Sequence, residues 1–339
     1  MKLPPPRPAP AAGARRRALA RTAAGLLAAA AGLALPFATA AQTAWPAKPI
    51  TLVIPFPPGG SADVIGRLVG QRMSDELGQP VIIDNRPGAG TAIAAGLVAK
   101  APADGYTLLY SGSPMAAAMR MYKNPGFEVF KDFRHVMGMS RSDILLVVHP
   151  GSGLRSLADL IAASKSRDID YASGGVGTPS HLGVELLLSA LQIKATHVPY
   201  KGASDLVNAV LGQQVVFAAP IFSVAYPHVQ AGRLIPLAVA GEQRNDKLPQ
   251  VPTLEETGVK NVHLSSWGGL SVPRDTPQAV TTRLSNAMDA VLSQPKVRQM
   301  LEMDGGKVQI LDSAAYTQAF EHELKFTETM MKRIGLQAV

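Results

Sequence analysis

The sequence contains no cysteine in its 339 residues. Disulfide bonds, thiolate nucleophiles and zinc–thiolate sites are therefore excluded. Aromatic residues are also scarce at 5%, and no basic stripe with interleaved aromatics is present. A surface for binding nucleic acid is therefore not expected.

Acidic residues are absent from positions 1–41, which contain six basic residues. An apolar run of alanine, leucine and glycine over 22–35 follows the basic stretch, and small residues surround Ala40 and Ala41. This order is typical of a signal peptide. The run is also shorter than the roughly 20 apolar residues that cross a bilayer. We therefore predict export to the periplasm, with cleavage near Ala40 or Ala41.

Strong net charge is lacking once this leader is set aside. The 298 residues after position 41 carry 27 basic and 25 acidic side chains, a net charge of +2 against +8 for the full chain. The basic balance thus belongs to the leader and does not argue for nucleic acid. No later apolar run reaches membrane length, which predicts a soluble mature protein.

Several catalytic and cofactor motifs are missing. The segment Gly88-Ala-Gly90 has Ile93 where a dinucleotide-binding fingerprint needs its third glycine. The chain has no Gly-Lys-Ser/Thr phosphate loop and no Gly-x-Ser-x-Gly elbow, and its seven histidines lack metal-ligand spacing. We therefore predict no cofactor, no metal site, no catalytic residues and no enzyme activity.

Two segments, 50–63 and 170–181, each combine a strand pattern, a glycine-rich turn and a helix start. Such a turn directs unpaired backbone N–H groups and the positive end of a helix at one point, which favours an anion. In the first turn Ser61 suits the N-cap and Asp63 the first helical turn; in the second, Thr178 suits the N-cap before Pro179. Ordinary capped turns remain an alternative for both segments.

Strand and helix patterns alternate along the chain, which indicates an α/β fold with mainly parallel sheets. Two apolar strands, near 144 and 265, read as crossings between two domains. The predicted organisation is a signal peptide over 1–41, a discontinuous first domain over 42–144 plus 265–339, and a second domain over 145–264.

Several motifs in fixed order resemble the receptors of tripartite tricarboxylate transporters, the Bug or TctC family. They are Trp45-Pro-x-Lys-Pro-Ile50, Pro58-Gly-Gly-x-x-Asp63, Asn85-Arg-Pro-Gly-Ala-Gly90, His197-Val-Pro-Tyr-Lys-Gly202 and Val251-Pro-Thr-Leu-Glu-Glu-Thr-Gly258. The resemblance covers nearly everything after residue 44. Thr91 departs from it, because the family usually has a further glycine there.

The resemblance implies a two-domain clamshell of the type II periplasmic class with a two-strand hinge. It also implies a monomer that holds a small carboxylate between the two loops and passes it to membrane permease subunits or a sensor protein. The ligand-binding residues that it implies are Phe56, Pro58, Gly59, Gly60, Ser61, Asp63, Ser111, Ser113, Ser173, Gly174, Gly177, Thr178 and His181.

An amine-free acid is favoured, because Phe217–Ile221 contains no carboxylate to neutralise an ammonium group. Lys201 reads equally well as a carboxylate clamp or as part of a turn. Two other functions stay open: a ligand sensor for a membrane signalling partner, and a hydrolase using Ser61, Ser173 or Thr178 with His181, since oxyanion holes share the same backbone geometry.

Overall fold

The structure is a computed structural model that describes residues 1–6, 45–260 and 262–339. Most of the predicted signal peptide, including the expected cleavage site near Ala40 and Ala41, lies outside the described residues. No helix in the described part of the chain is long and apolar enough to cross a bilayer.

A six-stranded mixed sheet forms the first of two lobes, with strand order β11-β4-β10-β3-β1-β2. β1 pairs in parallel with β2 and β3, whereas β10 runs antiparallel to β3 and β4, and β11 runs antiparallel to β4. The strands are β1 (Ile50–Ile54), β2 (Val81–Asn85), β3 (Thr107–Gly112), β4 (Phe133–Asp143), β10 (Ser265–Pro273) and β11 (Lys307–Leu311).

A five-stranded mixed sheet forms the second lobe, with strand order β7-β6-β8-β5-β9. β6 pairs in parallel with β7 and β8, and β5 runs antiparallel to β8 and β9. These strands are β5 (Leu145–Val148), β6 (Asp170–Ser173), β7 (Thr196–Pro199), β8 (Phe217–Ala218) and β9 (Ile235–Val239).

Helices cover both faces of each sheet. They are α1 (Ser61–Leu77), α2 (Ala92–Ala99), α3 (Ser113–Met121), α4 (Val129–Asp132), α5 (Leu157–Ser166), α6 (Pro179–Leu191), α7 (Ala203–Leu211), α8 (Phe222–Gln230), α9 (Gln278–Leu292), α10 (Pro295–Glu302) and α11 (Ser313–Ile334). Short 3-10 turns occur at Ala89–Thr91 and Pro150–Ser152.

The side chains of the central strands point alternately to the two faces of each sheet, which explains why each lobe has two hydrophobic cores. In β1, Ile50, Leu52 and Ile54 face the core beneath α1 and α9, whereas Val53 faces the core beneath α2, α3 and α11. Successive strand residues point to opposite faces, so a strand buried on both sides has a continuous apolar sequence.

The mixed α/β class predicted from the sequence is confirmed, and the parallel share of the sheets is smaller than expected. Four of the nine strand pairings among the described residues are parallel. The chain leaves the first lobe after β4 and returns to it through β10. These two strands pair in antiparallel orientation. The division into 42–144 plus 265–339 and 145–264 stays a prediction.

Candidate functional site

A cavity of about 360 Å³ lies between the two lobes. The first lobe contributes the turn between β1 and α1 and the ends of β3, β4 and β10. The second lobe contributes the turn between β6 and α6, the start of α7 and part of α8. Known small-molecule sites are concave and begin at about this volume.

A buried carboxylate organises the turn between β1 and α1. Asp63 is only 3% exposed, and its Oδ2 accepts hydrogen bonds from Gly59 N at 2.9 Å and from Arg67 Nε at 3.0 Å. Asn85 Nδ2, at the end of β2, donates to Asp63 Oδ1 at 2.9 Å and to the Phe56 carbonyl at 3.0 Å. Asp63 therefore fixes the conformation of the turn from behind, and it does not line the cavity.

Two opposing effects act on the pKa of Asp63. Burial would raise the pKa of this carboxyl, but the hydrogen bonds from Arg67, Gly59 N–H and Asn85 and the charge of Arg67 hold it below its usual value. The group is therefore ionised at neutral pH.

The N-terminus of α1 opens into the cavity. Gly60 occupies the N-cap with φ −78° and ψ 166°, and Ser61, expected at that position, is instead the first helical residue. No described residue accepts a hydrogen bond from the N–H groups of Gly60, Ser61 or Ala62, and all three residues line the cavity. These N–H groups and the positive helix end favour an anion.

The turn between β6 and α6 uses most of its donors internally. Gly174 N donates to Ser180 Oγ at 2.9 Å, Gly177 N to His181 Nδ1 at 3.3 Å, and Thr178 N to the Gly175 carbonyl at 3.2 Å. The sequence had suggested that such N–H groups face the ligand. In this structure Thr178 and Ser180 line the cavity, and their hydroxyls also hydrogen-bond within the turn: Thr178 Oγ1 donates to the Gly175 carbonyl at 2.7 Å and lies 3.0 Å from Ser180 Oγ.

Two stacked histidines support this second turn. The rings of His181 and His197 lie 4.2 Å apart between centroids, and Tyr171 stacks on the other side of His197. Burial lowers the pKa of His181 to about 3, aided by the nearby His197, and burial lowers the pKa of His197 to about 4. Both rings are therefore neutral at physiological pH, which suits the acceptor role of His181 Nδ1.

Ser173 makes a short hydrogen bond with one of these histidines, since its Oγ lies 2.6 Å from His197 Nε2. The partner is thus His197, whereas the sequence had suggested His181. Ser173 is fully buried and does not line the cavity, and its Oγ also accepts a hydrogen bond from Gly175 N at 3.1 Å. The pair therefore braces the turn and does not present a nucleophile to the cavity.

The predicted ligand-binding residues separate into two groups. Those that line the cavity are Phe56, Gly59, Gly60, Ser61, Ser111, Gly174 and Thr178. Those that lie outside its lining are Pro58, Asp63, Ser113, Ser173, Gly177 and His181. Pro58 is exposed, whereas Ser113 and Gly177 line a second, smaller cavity of about 130 Å³. Lys201 is exposed and lies outside the main lining.

Other lining residues were not identified from the sequence. Ser180, Ser204 and Ser223 contribute hydroxyls from the second lobe, and Ser223 Oγ lies 3.3 Å from Ser61 Oγ across the cavity. Ser180 could have been found, because it occupies the first turn of a helix that starts at a recognised Thr178-Pro179 signal. The positions of Ser204 and Ser223 depend on how the lobes meet, and no local pattern reports that.

Much of the cavity lining is apolar, and its few charges are mixed. Its aliphatic side chains come from both lobes and include Val64, Ile65, Leu68, Leu206, Val207, Val224, Met300 and Leu301. The formally charged lining residues are Arg141, Lys307 and Asp304. In the described ranges no three acidic or histidine side chains come together as metal ligands.

The family model described as "Tripartite tricarboxylate transporter family receptor" matches residues 65–336. The chain belongs to this family. Protein BugT of Bordetella pertussis is 33% identical over 83% of this chain and 86% of its own length. The structure of Rpa4515 of R. palustris with adipate has a TM-score of 0.84 and 31% identity, covering 87% of this chain and 100% of Rpa4515.

The structure of MatC from Rhodopseudomonas palustris with bound malate has a TM-score of 0.81 and 29% identity, and covers 84% of this chain and 99% of MatC. The resemblance inferred from the sequence is thus confirmed. Members of this family are periplasmic solute-binding receptors.

Proposed function

We propose that this receptor captures an amine-free organic acid in the cavity between its lobes and delivers it to membrane permease subunits. We further propose that it is exported after cleavage near Ala40 or Ala41 and that it has no catalytic activity. The observation that carries the proposal is the N-terminus of α1, where three residues whose N–H groups have no described partner line the cavity.

The carboxylate is proposed to bind at Gly60, Ser61 and Ala62, opposite Thr178 and Ser180. Backbone N–H groups at a helix start bind an anion without a charged side chain. The buried Asp63 holds these N–H groups in position through Gly59 N and Asn85. Asp63 acts on the ligand through the turn, since it does not line the cavity.

The charges of the lining favour an acid without an amine. Among the described lining residues Asp304 is the only carboxylate, and it is balanced by Arg141 and Lys307. Burying an ammonium group without a paired carboxylate is costly. An amino acid would therefore bind more weakly than the corresponding acid.

The apolar lining of the cavity supports a ligand with an extended carbon skeleton. Ile65, Leu68, Leu206 and Val207 would contact methylene or aromatic carbon atoms, and burying each methylene contributes about 0.8 kcal/mol. Adipate, which is present in the Rpa4515 structure, has such a skeleton. We therefore rank adipate above malate, the acid in the MatC structure.

Thermal unfolding of residues 42–339 against succinate, adipate, malate, citrate and benzoate tests the proposal. Lysine, glucose and adipamide serve as controls, and the chain is first refolded to remove carried-over ligand. An acid at a thousand times its dissociation constant stabilises the folded state by about 4 kcal/mol, a shift on the order of ten degrees.

A shift with at least one acid and none with lysine or adipamide is the expected result. Equal shifts with adipate and adipamide, or no shift with any of the acids, would contradict binding of a carboxylate in this cavity.

A further inference from the structure

A run of four residues with positive φ leads into α2 at the edge of the cavity. The φ angles are 132° at Gly88, 45° at Ala89, 57° at Gly90 and 95° at Thr91. Thr91 stands out, because a β-branched residue in this region is a steric outlier. Such an outlier persists only where the surrounding structure holds it in place.

Packing against the second lobe explains how this run is held. A Cβ atom on Gly90 would lie 2.5 Å from the Val176 carbonyl oxygen and 3.1 Å from the Tyr122 ring. The run is also closed by a hydrogen bond from Thr91 N to the Gly88 carbonyl at 3.1 Å. The backbone leading into Thr91 is thus held by packing of Gly90 and by a local hydrogen bond.

The hydroxyl of Thr91 does not form the capping hydrogen bond that is usual at its position. Thr91 is the N-cap of α2, where a threonine normally accepts a hydrogen bond from the first helical turn. With φ at 95° the side chain does not cap the helix, and within the described residues its Oγ1 has no hydrogen-bond partner. Thr91 is only 3% exposed, so among the described residues this is a buried polar group without a hydrogen-bond partner.

The side chain lines the same cavity as the N-terminus of α1. Thr91 belongs to its lining together with Phe56 and Gly60. The turns after β1 and β2 lie at the same edge of the first sheet, because these strands pair in parallel. Ligands in open α/β sheets bind at this carboxyl edge.

We propose that Thr91 is a ligand-binding residue whose Oγ1–H donates a hydrogen bond to an oxygen atom of the bound acid. The proposal rests on the proposed function and adds a specific donor from a side chain. A buried hydroxyl without a partner destabilises the free protein, and a hydrogen bond to a ligand oxygen removes that cost. The strained backbone is then retained because it directs the hydroxyl away from α2 and into the cavity.

Calorimetric titration of the wild-type chain, T91V and T327V with the same five acids tests the proposal. T91V keeps the shape and β-branching of the side chain and removes only the hydroxyl. Thr327 in α11 is the matched control, because it is fully buried, its Oγ1 also lacks a partner in the described residues, and it does not line the cavity.

The expected result is that T91V binds the acid recognised by the wild-type chain about tenfold to a hundredfold more weakly, the loss of one hydrogen bond to a charged group. T327V should bind as the wild-type chain does. Without acid, neither valine variant should melt below the wild-type chain, because each replaces an unsatisfied hydroxyl with a methyl group. A purely structural role for Thr91 would change melting and leave affinity unaltered.

The pair T91S and T91A keeps the test decisive if T91V folds poorly. The two differ only in the hydroxyl, so T91S should bind within a few-fold of the wild-type chain and T91A should bind more weakly. Wild-type affinity in T91V or T91A would overturn the assignment of Thr91 alone. Failure of the wild-type chain to bind any acid would contradict the proposed function and this assignment with it.

Discussion

The carboxylate of Asp63 accepts hydrogen bonds from a backbone N–H, a guanidinium and an amide, and each comes from a different part of the first lobe. Gly59 belongs to the turn, Arg67 to α1 and Asn85 to β2. A single buried side chain therefore connects the strand, the turn and the helix that form one wall of the cavity.

We predict that D63N destabilises the protein by about 1.5–3 kcal/mol, the range for lost hydrogen bonds to a charged group. The amide of the new side chain would place a donor against Gly59 N or Arg67, and two donors repel each other. Chemical denaturation of the free protein measures this change.

D75N is the matched control for D63N, because Asp75 lies in the same helix with a side chain that is 73% exposed. It should unfold as the wild-type chain does. Equal stability of D63N and the wild-type chain would contradict the organising role of Asp63.

The conformation of the second turn depends on two neutral histidines. Their protonation would therefore affect the whole segment formed by β6, the turn and α6. His181 Nδ1 must be unprotonated to accept the Gly177 N–H, and His197 is bonded to Ser173. Both folded-state pKa values, about 3 and about 4, lie below the usual 6.5.

The sign of the pH dependence follows from these values. Between about pH 6.5 and pH 3 the unfolded chain binds more protons at these histidines than the folded chain, so acid favours unfolding. Each such histidine contributes up to about 1.4 kcal/mol per pH unit. Glu323, with a pKa raised by burial to about 7, acts in the opposite direction, so variants must be compared with one another.

We predict that H181N is less stable than the wild-type chain at pH 7, because it loses the stacked ring, and that its stability falls less steeply from pH 6.5 to pH 4. Asparagine retains an acceptor for the Gly177 N–H but cannot take up the proton. Urea denaturation across this pH range measures the slope.

H322N serves as its control, since His322 is exposed on α11. Parallel curves for H181N and the wild-type chain would contradict the assignment of a neutral, buried ring to His181.

Local patterns predicted many of the elements around the site. Helical periodicity over 313–334 predicts the last helix, which has those bounds in the structure, and the Thr178-Pro179 signal places the start of α6 correctly. Both depend on capping chemistry and helical periodicity, which act over a few residues.

Local patterns did not predict two strands, β4 and β11, that pair with segments far away along the chain. β4, with the sequence Phe-Arg-His-Val-Met-Gly-Met-Ser-Arg-Ser-Asp, has no clear alternation, and its partners β10 and β11 lie more than 100 residues later. β11 is short and begins with Lys307. Strand formation is decided by such partners more than by intrinsic propensity.

The same limit applies to the site. The turn glycines could be predicted, but the pairing of Ser173 with His197 brings together two strands, β6 and β7. Gly90, which precedes Thr91, packs against the Val176 carbonyl of the other lobe, a contact between distant segments. Neither is encoded in a local pattern.

At the scale of the whole molecule, the two lobes touch around the cavity. Ser61 Oγ lies 3.3 Å from Ser223 Oγ, and a Cβ atom on Gly202 would lie 3.0 Å from the Pro57 ring. A ligand at the N-terminus of α1 would therefore contact both lobes and stabilise the arrangement in which they meet.

A comparison of S61P with S61A tests most directly whether the N-terminus of α1 holds the acid. Both variants lose the hydroxyl that faces Ser223, and only proline also removes the backbone N–H. Proline is well tolerated at the first position of a helix, and Gly60 already has the extended conformation that precedes proline. The two variants should therefore unfold at similar temperatures.

Calorimetric titration with adipate is the measurement, extended to succinate, malate, citrate and benzoate. We predict that S61P binds the preferred acid about tenfold to a hundredfold more weakly than S61A, the loss of one N–H bond to a carboxylate. Equal affinity of the two variants would contradict binding of the acid at the N-terminus of α1.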